Sequence, residues 1–426
     1  MKTKSINSIY WCILASVLMC FSSSIDFLSI KFGSYRLSIF RILTIVLLGM
    51  FMLSILKRDY KLTRLMRYYI VSFSILIILQ MLSLIWVEDF GAWIKSIYFW
   101  GIIYLYILIF GFTLKKSKWY ITLLKIFSII FFICILFAWG EVFFKWYFFN
   151  SRPFIEEYKK LKLGIPIVCF GNTNDFSLAM SFSIFNNLAC FNLENKRIKK
   201  FYYIFSIVSA LLLVFISSSR ACMIGIFLGI IVYAYLKGCF KFNRKISIIL
   251  LYVILVGILF NIEKIINYIT KILFALDLNA DYMSSGKIRI NLIKNAIEFL
   301  KNTAGLGVGA GNIEYWMKNY AIYDINNIYN VHNWWFEILL TGGILSFLIY
   351  VIFYCNILYK SYKSSYVRNN RDSIISQSFC AIIVMFIVAS ISSSSNLSSE
   401  WLWVYWAMII SFVGNYKIID KTIDIK

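Results

Sequence analysis

The sequence predicts an all-α polytopic membrane protein, and three observations support that fold class. Hydrophobic residues make up 61% of the 426 residues and charged residues only 15%, whereas soluble domains average about half apolar and about a quarter charged residues. Only two residues are proline, so long helices are rarely interrupted. Apolar stretches recur that are long enough for an α-helix to cross a bilayer, which takes about 20 residues.

These stretches predict about twelve transmembrane helices in three regions. Residues 1–262 hold nine predicted spans, 263–332 form one large loop, and 333–426 hold three more. The predicted spans are 8–24, 36–56, 68–87, 92–114, 119–139, 172–190, 201–216, 221–236, 246–262, 333–358, 374–391 and 400–414.

The seventh and eighth spans are predicted as two helices, because one helix over 201–236 would be about 54 Å long against a hydrocarbon core of about 30 Å. Three serines and Arg220 interrupt this apolar run. The segments before and after it, ENKRIKK and KGCFKFNRK, are both basic and should lie on the same side of the membrane. Arg220 is then predicted at the turn on the opposite side.

The distribution of basic residues predicts the orientation, since cytoplasmic loops carry an excess of Lys and Arg. The segments assigned to the cytoplasm hold 25 of the 43 basic residues, whereas the short connections near 25–35, 88–91 and 392–399 hold only Lys31. We therefore predict that both termini are cytoplasmic. The apolar run after Lys4 is interpreted as an uncleaved first helix rather than a signal peptide, because further spans follow it.

Several function classes are disfavoured by composition and spacing. The net charge of +23 is explained by the basic loops and does not indicate nucleic-acid binding. The longest predicted cytoplasmic loop has about fifteen residues and no Walker A string occurs, so a nucleotide-binding domain is not expected. Nine cysteines show no C-x-x-C spacing and there is one histidine, so neither a metal site nor a cofactor is expected.

That histidine, His332, lies in YNVHNWWFEILLTGG, where the large loop meets an apolar helix. An imidazole titrates near neutrality and is mostly neutral at pH 7 if its pKa stays close to about 6.5, so His332 is a candidate proton acceptor. Alternatively, His332 only caps the helix or anchors it at the interface with Trp334 and Trp335. Asn333 and Glu337 follow on the same segment, and Glu337 is predicted to orient His332 or a substrate.

Basic residues that the orientation does not require converge on the predicted outer face. Arg36 and Arg41 lie in the second span, Lys95 in the fourth, and Arg220 between the seventh and eighth. Arg289 lies in GKIRINLIKNAIEFL, which predicts an amphipathic helix on the outer membrane surface from apolar residues at helical spacing, namely Ile288, Leu292, Ala296 and Leu300. A guanidinium binds phosphate bidentately, so these residues suit a lipid-linked phosphate or pyrophosphate. Arg41 could instead pair structurally, and Lys95 could pair with Glu88 or Asp89.

Two polar motifs complete the set of candidates. Asn174 and Asp175, in GNTNDFSLAMS, either cap the sixth span or contact a sugar. The string GLGVGAG at 305–311 is interpreted as a tight turn rather than a dinucleotide fingerprint, because no strand precedes it.

The order of these motifs resembles the O-antigen ligase and polymerase superfamily. SSSR is followed by an R-x-x-L-I-K-N-A helix, then GLGVGAGN, then VHNWWFEILLTGG, with GNTNDFSLAMS upstream. HNWW followed by EIL is similar to the teichuronic acid and capsule polymerase branch. The motifs cover roughly 170–350, and the chain departs from the family in NTAGLG, where members commonly carry a proline.

The resemblance implies a membrane glycosyltransferase of GT-C-like helical architecture in the bacterial cytoplasmic membrane, with an extracytoplasmic active site. Its donor would be an undecaprenyl-pyrophosphate-linked glycan, used without metal. By the family's motif positions, Arg220 and Arg289 would hold the pyrophosphate and His332 would activate the acceptor hydroxyl. The expected substrate-binding residues are Arg41, Lys95, Asn174, Asp175, Asn333 and Glu337. Expected partners are the lipid bilayer, a flippase and a chain-length regulator.

Four functions stay open at this stage. A polymerase that extends a lipid-linked glycan is favoured, and a ligase that moves the glycan to another acceptor shares its donor and site. A transporter or flippase is disfavoured because intramembrane acids and paired repeats are not evident. A relative of the peptidoglycan polymerases would use Asp277 or Asp281 as its base in place of His332.

Overall fold

The computed structural model describes residues 2–25, 28–32, 35–56, 60–147, 164–239, 285–366, 370–394 and 396–421. Within these ranges the chain is almost entirely helical, in agreement with the all-α membrane class. The predicted ninth span at 246–262 lies outside the described residues, as do Asp277 and Asp281.

The helices of the described residues are α1 (Lys2–Leu18), α2 (Ile39–Leu56), α3 (Arg64–Leu82), α4 (Phe90–Thr113), α5 (Ser117–Phe144), α6 (Thr173–Leu193), α7 (Arg197–Ile216), α8 (Arg220–Leu236), α9 (Ser285–Asn302), α10 (Ile313–Tyr320), α11 (Trp334–Ser364), α12 (Asn370–Ala389) and α13 (Glu400–Lys421). Short 3₁₀ turns cover Ser22–Ser24 and Ser83–Ile85. By length and composition, eight helices of the described ranges could cross a membrane, and two shorter helices are also apolar. The count of twelve spans stays a prediction.

The first three residues of the predicted second span, 36–38, are not helical. Strands β1 (Ser29–Phe32) and β2 (Tyr35–Ser38) form an antiparallel hairpin, and α2 begins only after it. Arg36 lies on β2 in register with Lys31. The prediction that Arg36 belongs to the second span is therefore wrong, because the strand pairing continues through Ser38.

The predicted break between the seventh and eighth spans is confirmed. α7 ends at Ile216 and α8 begins at Arg220, and Ser218 between them adopts a left-handed φ of 57°. α8 packs closely on α12 at Gly225. A Cβ added there would lie only 2.7 Å from the carbonyl oxygen of Met385. Small residues at helix interfaces allow such approach in membranes. This packing holds the start of α8, and with it Arg220, beside the end of α12.

The glycine-rich segment 305–311 forms the tight turn that its sequence predicts. Its four glycines have φ angles of 81°, 80°, 90° and 74°, all in the left-handed region. The turn docks on a kink in α11 at Gly343, where φ is 72° and ψ is −175°. Val308 N donates to Leu340 O at 2.7 Å, and Ile344 N donates to Gly305 O at 2.9 Å. The turn and the kinked part of α11 therefore provide hydrogen-bond partners for each other's backbone groups.

We expect Gly307→Ala to destabilise the protein strongly. The new Cβ would lie 2.3 Å from Leu340 O, at a φ of +80° that costs a non-glycine residue about 1–2 kcal/mol before any clash. Gly101→Ala, with no neighbouring atom within 4 Å in α4, is the matched control. Thermal unfolding in detergent should show a lower midpoint for the first variant only. Equal midpoints would contradict this account of the turn.

The segment from α9 to His332 has a small hydrophobic core of its own. Ile288, Leu292 and Ala296 of α9 are buried in it, as the amphipathic pattern predicts. The fourth buried residue on this face of α9 is Phe299. The predicted fourth residue, Leu300, is only half-buried. The apolar face of α9 thus packs on the protein, against residues that include Val308, Met317, Val331 and Leu340. The predicted membrane-surface position of this face is wrong in that respect.

Candidate active site

Three polar turns meet at one end of the helical bundle, which we call the site end. Asn174 Oδ1 accepts a hydrogen bond from Ser219 Oγ at 2.9 Å. Asp175 Oδ1 accepts one from Ser394 N at 2.8 Å, and Ser394 Oγ also donates to this carboxylate. The cap of α6 is Asn172, whose Oδ1 accepts from Asp175 N at 2.8 Å. Asn174 and Asp175 therefore join the starts and ends of three helices, and their predicted sugar contacts stay predictions.

Arg220 follows Ser219 directly and is the first residue of α8. Its side chain is exposed, and it stands at a helix N-terminus, which carries positive partial charge. Among the described residues Arg220 forms no salt bridge. An anion that approached this position would meet both the guanidinium and the helix N-terminus.

Arg289 on α9 lies close enough to Arg220 for their charges to interact. Burial, and then the positive charge of Arg220, lower the pKa of Arg289 from its usual value. Among the residues with described positions Arg289 also lacks a carboxylate partner. Two unpaired guanidinium groups repel each other in this surrounding, and an anion bound between them would remove that repulsion.

His332 completes this group, and its backbone is held in an uncommon conformation. Its φ is 51°, and its amide N donates to Asn330 Oδ1 at 3.2 Å. The imidazole Nδ1 is buried and has no hydrogen-bond partner among the described residues. Burial, and then the charge of Arg289, lower the pKa of His332 to about 4. The expectation of a pKa near 6.5 is therefore corrected, although the imidazole is still neutral at pH 7.

The arrangement can bind an anion and accept a proton at neighbouring positions. Arg220, Arg289 and His332 come from three different segments of the chain, and the charge of Arg289 interacts with the other two side chains. A pKa of about 4 makes the imidazole a weak base while the arginine charge is unscreened. A bound polyanion would offset that charge and raise the pKa of His332.

We expect nuclear magnetic resonance to measure this coupling directly, because ¹³C-histidine labelling gives a single imidazole signal. The signal of the wild-type chain should titrate near pH 4, and Arg289→Gln should move the midpoint upward. The exposed Arg197, at the start of α7, provides the control Arg197→Gln, which should leave the midpoint unchanged. A midpoint near about 6.5 in all three proteins would contradict the proposed arrangement.

The same shift predicts how stability depends on pH. The pKa of His332 in the folded state lies below the value of about 6.5 expected in the unfolded chain. The unfolded state therefore binds more protons between these two values, and His332 lowers stability as the pH falls from about 6.5 towards 4.

A polar cavity of about 180 Å³ is lined by two more predicted residues, Lys95 and Glu337. Asn330, which holds the backbone of His332, also lines this cavity. Ser96 contributes a buried hydroxyl that has no hydrogen-bond partner among the described residues. Phe99 adds an apolar wall. A polyhydroxyl ligand that enters this cavity would meet an ammonium group, a carboxylate, an amide, a hydroxyl and an aromatic ring.

Five polar lining residues were not identified from the sequence, namely Ser96, Glu314, Asn330, Thr341 and Ser398. Asn330 lies two residues before His332 and Ser96 directly follows Lys95, so proximity to predicted residues was the available signal. Glu314 is brought to the cavity by the glycine turn that precedes α10, and no sequence pattern indicates that contact.

Two predicted substrate-binding residues make contacts within the protein. Arg41 Nε donates to Glu400 Oε1 at 2.8 Å, and its guanidinium lies 5.3 Å from the ring centroid of Tyr98. Asn333 is the N-cap of α11, with Oδ1 accepting from Trp335 N at 3.0 Å. These contacts position α2, α13 and α11, and the substrate roles of Arg41 and Asn333 stay predictions.

Trp334 and Trp335 differ in their surroundings. Trp334 is 0% exposed, its Nε1 donates to Tyr350 Oη at 2.9 Å, and its ring lies 5.2 Å from that of Trp403. It is a core residue and not an interfacial anchor, because its indole nitrogen finds a partner inside the bundle. Trp335 is half-buried and donates to Ile387 O at 3.0 Å.

Within the described ranges no group of three or more His, Cys, Asp or Glu side chains could hold a metal ion. The expected independence of metal stays a prediction.

Comparisons with known proteins match the part of the chain that contains the candidate residues. Residues 205–351 match the model of a family described as O-antigen ligase, and this stretch contains Arg220, Arg289 and His332. The chain is 35% identical over 256 residues to the teichuronic acid biosynthesis protein TuaE of Bacillus subtilis strain 168. The aligned stretch covers 58% of this chain and 52% of that protein, so the chain matches about half the length of this relative.

Proposed function

Since the family match and the relative support the O-antigen ligase and polymerase superfamily for this chain, we propose that it is a membrane glycosyltransferase that polymerises undecaprenyl-pyrophosphate-linked repeat units. The observation that carries the proposal is that the charge of Arg289 interacts with both Arg220 and His332. The enzyme would lie in the bacterial cytoplasmic membrane with both termini cytoplasmic and the site end outside. It would work with a flippase and a chain-length regulator.

The two arginines would bind the pyrophosphate of the donor. The bond between the anomeric carbon and the pyrophosphate oxygen breaks during transfer, and negative charge grows on the leaving group. Fixed guanidinium groups stabilise that charge more in the transition state than in the ground state. Their mutual repulsion in the free protein is removed by the same anion, which favours binding.

His332 would accept the proton of the acceptor hydroxyl as its oxygen attacks the anomeric carbon. Pyrophosphate bound near Arg289 offsets the charge that lowers the pKa of His332, so the imidazole becomes a stronger base once the donor is present. The cavity that contains Lys95 and Glu337 would hold the acceptor sugar, because it opens beside Asn330 and is lined by groups that bind hydroxyls.

A ligase is the second candidate, because the matching family is described by that activity. It would use the same donor site and would differ only in the acceptor that enters the cavity. A transporter is not favoured, since the charge of Arg289 interacts with both Arg220 and His332, an arrangement that suits binding of an anion beside a proton acceptor.

The lipid-linked glycans that accumulate in a strain lacking the gene should distinguish these functions. Loss of a polymerase leaves single lipid-linked repeat units on the outer leaflet and abolishes long chains. Loss of a ligase instead leaves long lipid-linked chains without attachment to their acceptor. Loss of a flippase leaves single repeats on the inner leaflet. Restoration of long chains by the wild-type protein is the control. The pattern expected for a ligase, or that expected for a flippase, would overturn the polymerase proposal.

A further inference from the structure

A second cavity, of about 690 Å³, lies towards the far end of α11, the helix that begins two residues after His332. The start of α3 and the later parts of α11 and α13 surround this cavity. Its lining includes Arg64 at the start of α3 and Lys360 and Lys363 near the end of α11. None of the described residues that line it is acidic. The cavity is therefore strongly positive.

In the described parts of the chain, the three cations have no partner that explains their convergence. Among the described residues none of them forms a salt bridge or donates a side-chain hydrogen bond, and only Lys360 lies near a ring, 5.4 Å from that of Tyr359. Two lysines elsewhere in the described chain do have side-chain oxygens as partners. Lys115 Nζ donates to Asn415 Oδ1 at 2.8 Å, and Lys237 Nζ donates to Asn192 Oδ1 at 2.6 Å.

The remainder of the lining suits a molecule that has both a polar head and an apolar body. Asn356 lines the cavity, and because its Oδ1 already accepts from Tyr69 Oη at 3.1 Å, its amide nitrogen is left as a donor. Leu65 and Val413 supply aliphatic surface, and Tyr68 supplies an exposed aromatic ring. A free anion would use only the cations, whereas a phospholipid would also cover the apolar surface.

The general excess of basic residues in cytoplasmic loops accounts for their number but not for this grouping. Three like charges around one cavity repel one another, and the described part of its wall contains no compensating carboxylate. Basic cavities between transmembrane helices are suited to anionic lipid headgroups, and each Lys or Arg near such lipid contributes to binding. We propose that this cavity binds the phosphate headgroup of an anionic phospholipid, a site separate from the proposed transferase centre and independent of its activity.

The test uses the purified full-length chain in detergent and three probes, namely dioctanoyl phosphatidylglycerol, dioctanoyl phosphatidylcholine and inorganic phosphate. The thermal unfolding midpoint and the number of lipids retained in native mass spectrometry are measured for each. Phosphatidylglycerol should raise the midpoint and stay bound, because a ligand that binds only the folded state stabilises it. Neither of the other probes should do so at the same concentration.

Two triple variants that lose the same charge distinguish binding in the cavity from a general effect of the protein's positive charge. The cavity variant carries Arg64→Gln, Lys360→Gln and Lys363→Gln, and should bind phosphatidylglycerol about a hundredfold more weakly, as expected for the loss of three charges. The control variant carries substitutions to Gln at three exposed basic residues that do not line the cavity, Lys116, Lys196 and Arg197.

The control should bind phosphatidylglycerol as the wild-type chain does. Equal losses in both variants, or retained binding by the cavity variant, would overturn the proposal. A shift from inorganic phosphate equal to that from phosphatidylglycerol would overturn the assignment to a lipid. The transferase assay has no part in these measurements, so failure of the proposed function leaves their outcome unaffected.

Discussion

Replacement of His332 by alanine should lower glycan polymerisation by about 10²- to 10⁴-fold, the range that a general base contributes. The physical reason is that no other imidazole exists in the chain, and the acceptor hydroxyl would lose its proton acceptor beside the arginines. The measurement is the chain-length distribution of the polysaccharide in a strain that carries only the variant gene. Single lipid-linked repeats should accumulate while protein abundance stays normal.

The backbone at His332 requires a control, because its φ of 51° is unfavourable for most residues. Asparagine tolerates the left-handed region, so His332→Asn removes the base without adding backbone strain. Asn327→Ala introduces strain in the same loop at a φ of 57° without removing an imidazole. Loss of polymer in both His332 variants, with activity retained in Asn327→Ala, supports the chemical role. Full-length polymer from His332→Asn would eliminate it.

Removal of either Arg220 or Arg289 should lower polymerisation by about 10²- to 10³-fold, as found when one stabilising donor of a developing anion is removed. The double variant should be less impaired than the product of the two single losses, because the residues act on one leaving group. Lysine at either position keeps the charge but not the bidentate fork, so Lys variants should recover only part of the activity.

Arg197 provides the matched control for these variants. It is exposed and is the first residue of α7, just as Arg220 is the first residue of α8. The Arg197→Ala variant should produce glycan chains of normal length. If Arg197→Ala and Arg220→Ala were equally impaired, the effect would come from helix starts in general and not from pyrophosphate binding. Normal polymer from Arg289→Ala would remove that residue from the donor site.

Much of the helical framework could be predicted from the sequence, since spanning a bilayer imposes a length and an apolar composition on each helix. The break before Arg220 and the glycine turn were predicted for the same kind of local reason. The hairpin that contains Arg36 was missed, because its strands are only four residues long and adjoin an apolar run. Phe299 replaced Leu300 in the buried stripe, because a tertiary neighbour decides between adjacent positions on a helix.

The sequence by itself determined the membrane class, the helix break at the serines, and the identity of the candidate groups Arg220, Arg289 and His332. Only the tertiary structure decided which groups act on one another. It placed Arg289 near His332 and lowered the imidazole pKa to about 4, paired Arg41 with Glu400, and brought Lys95 and Glu337 into one cavity. Local composition fixes where a helix starts and ends, whereas charge coupling depends on distances between segments that only packing sets.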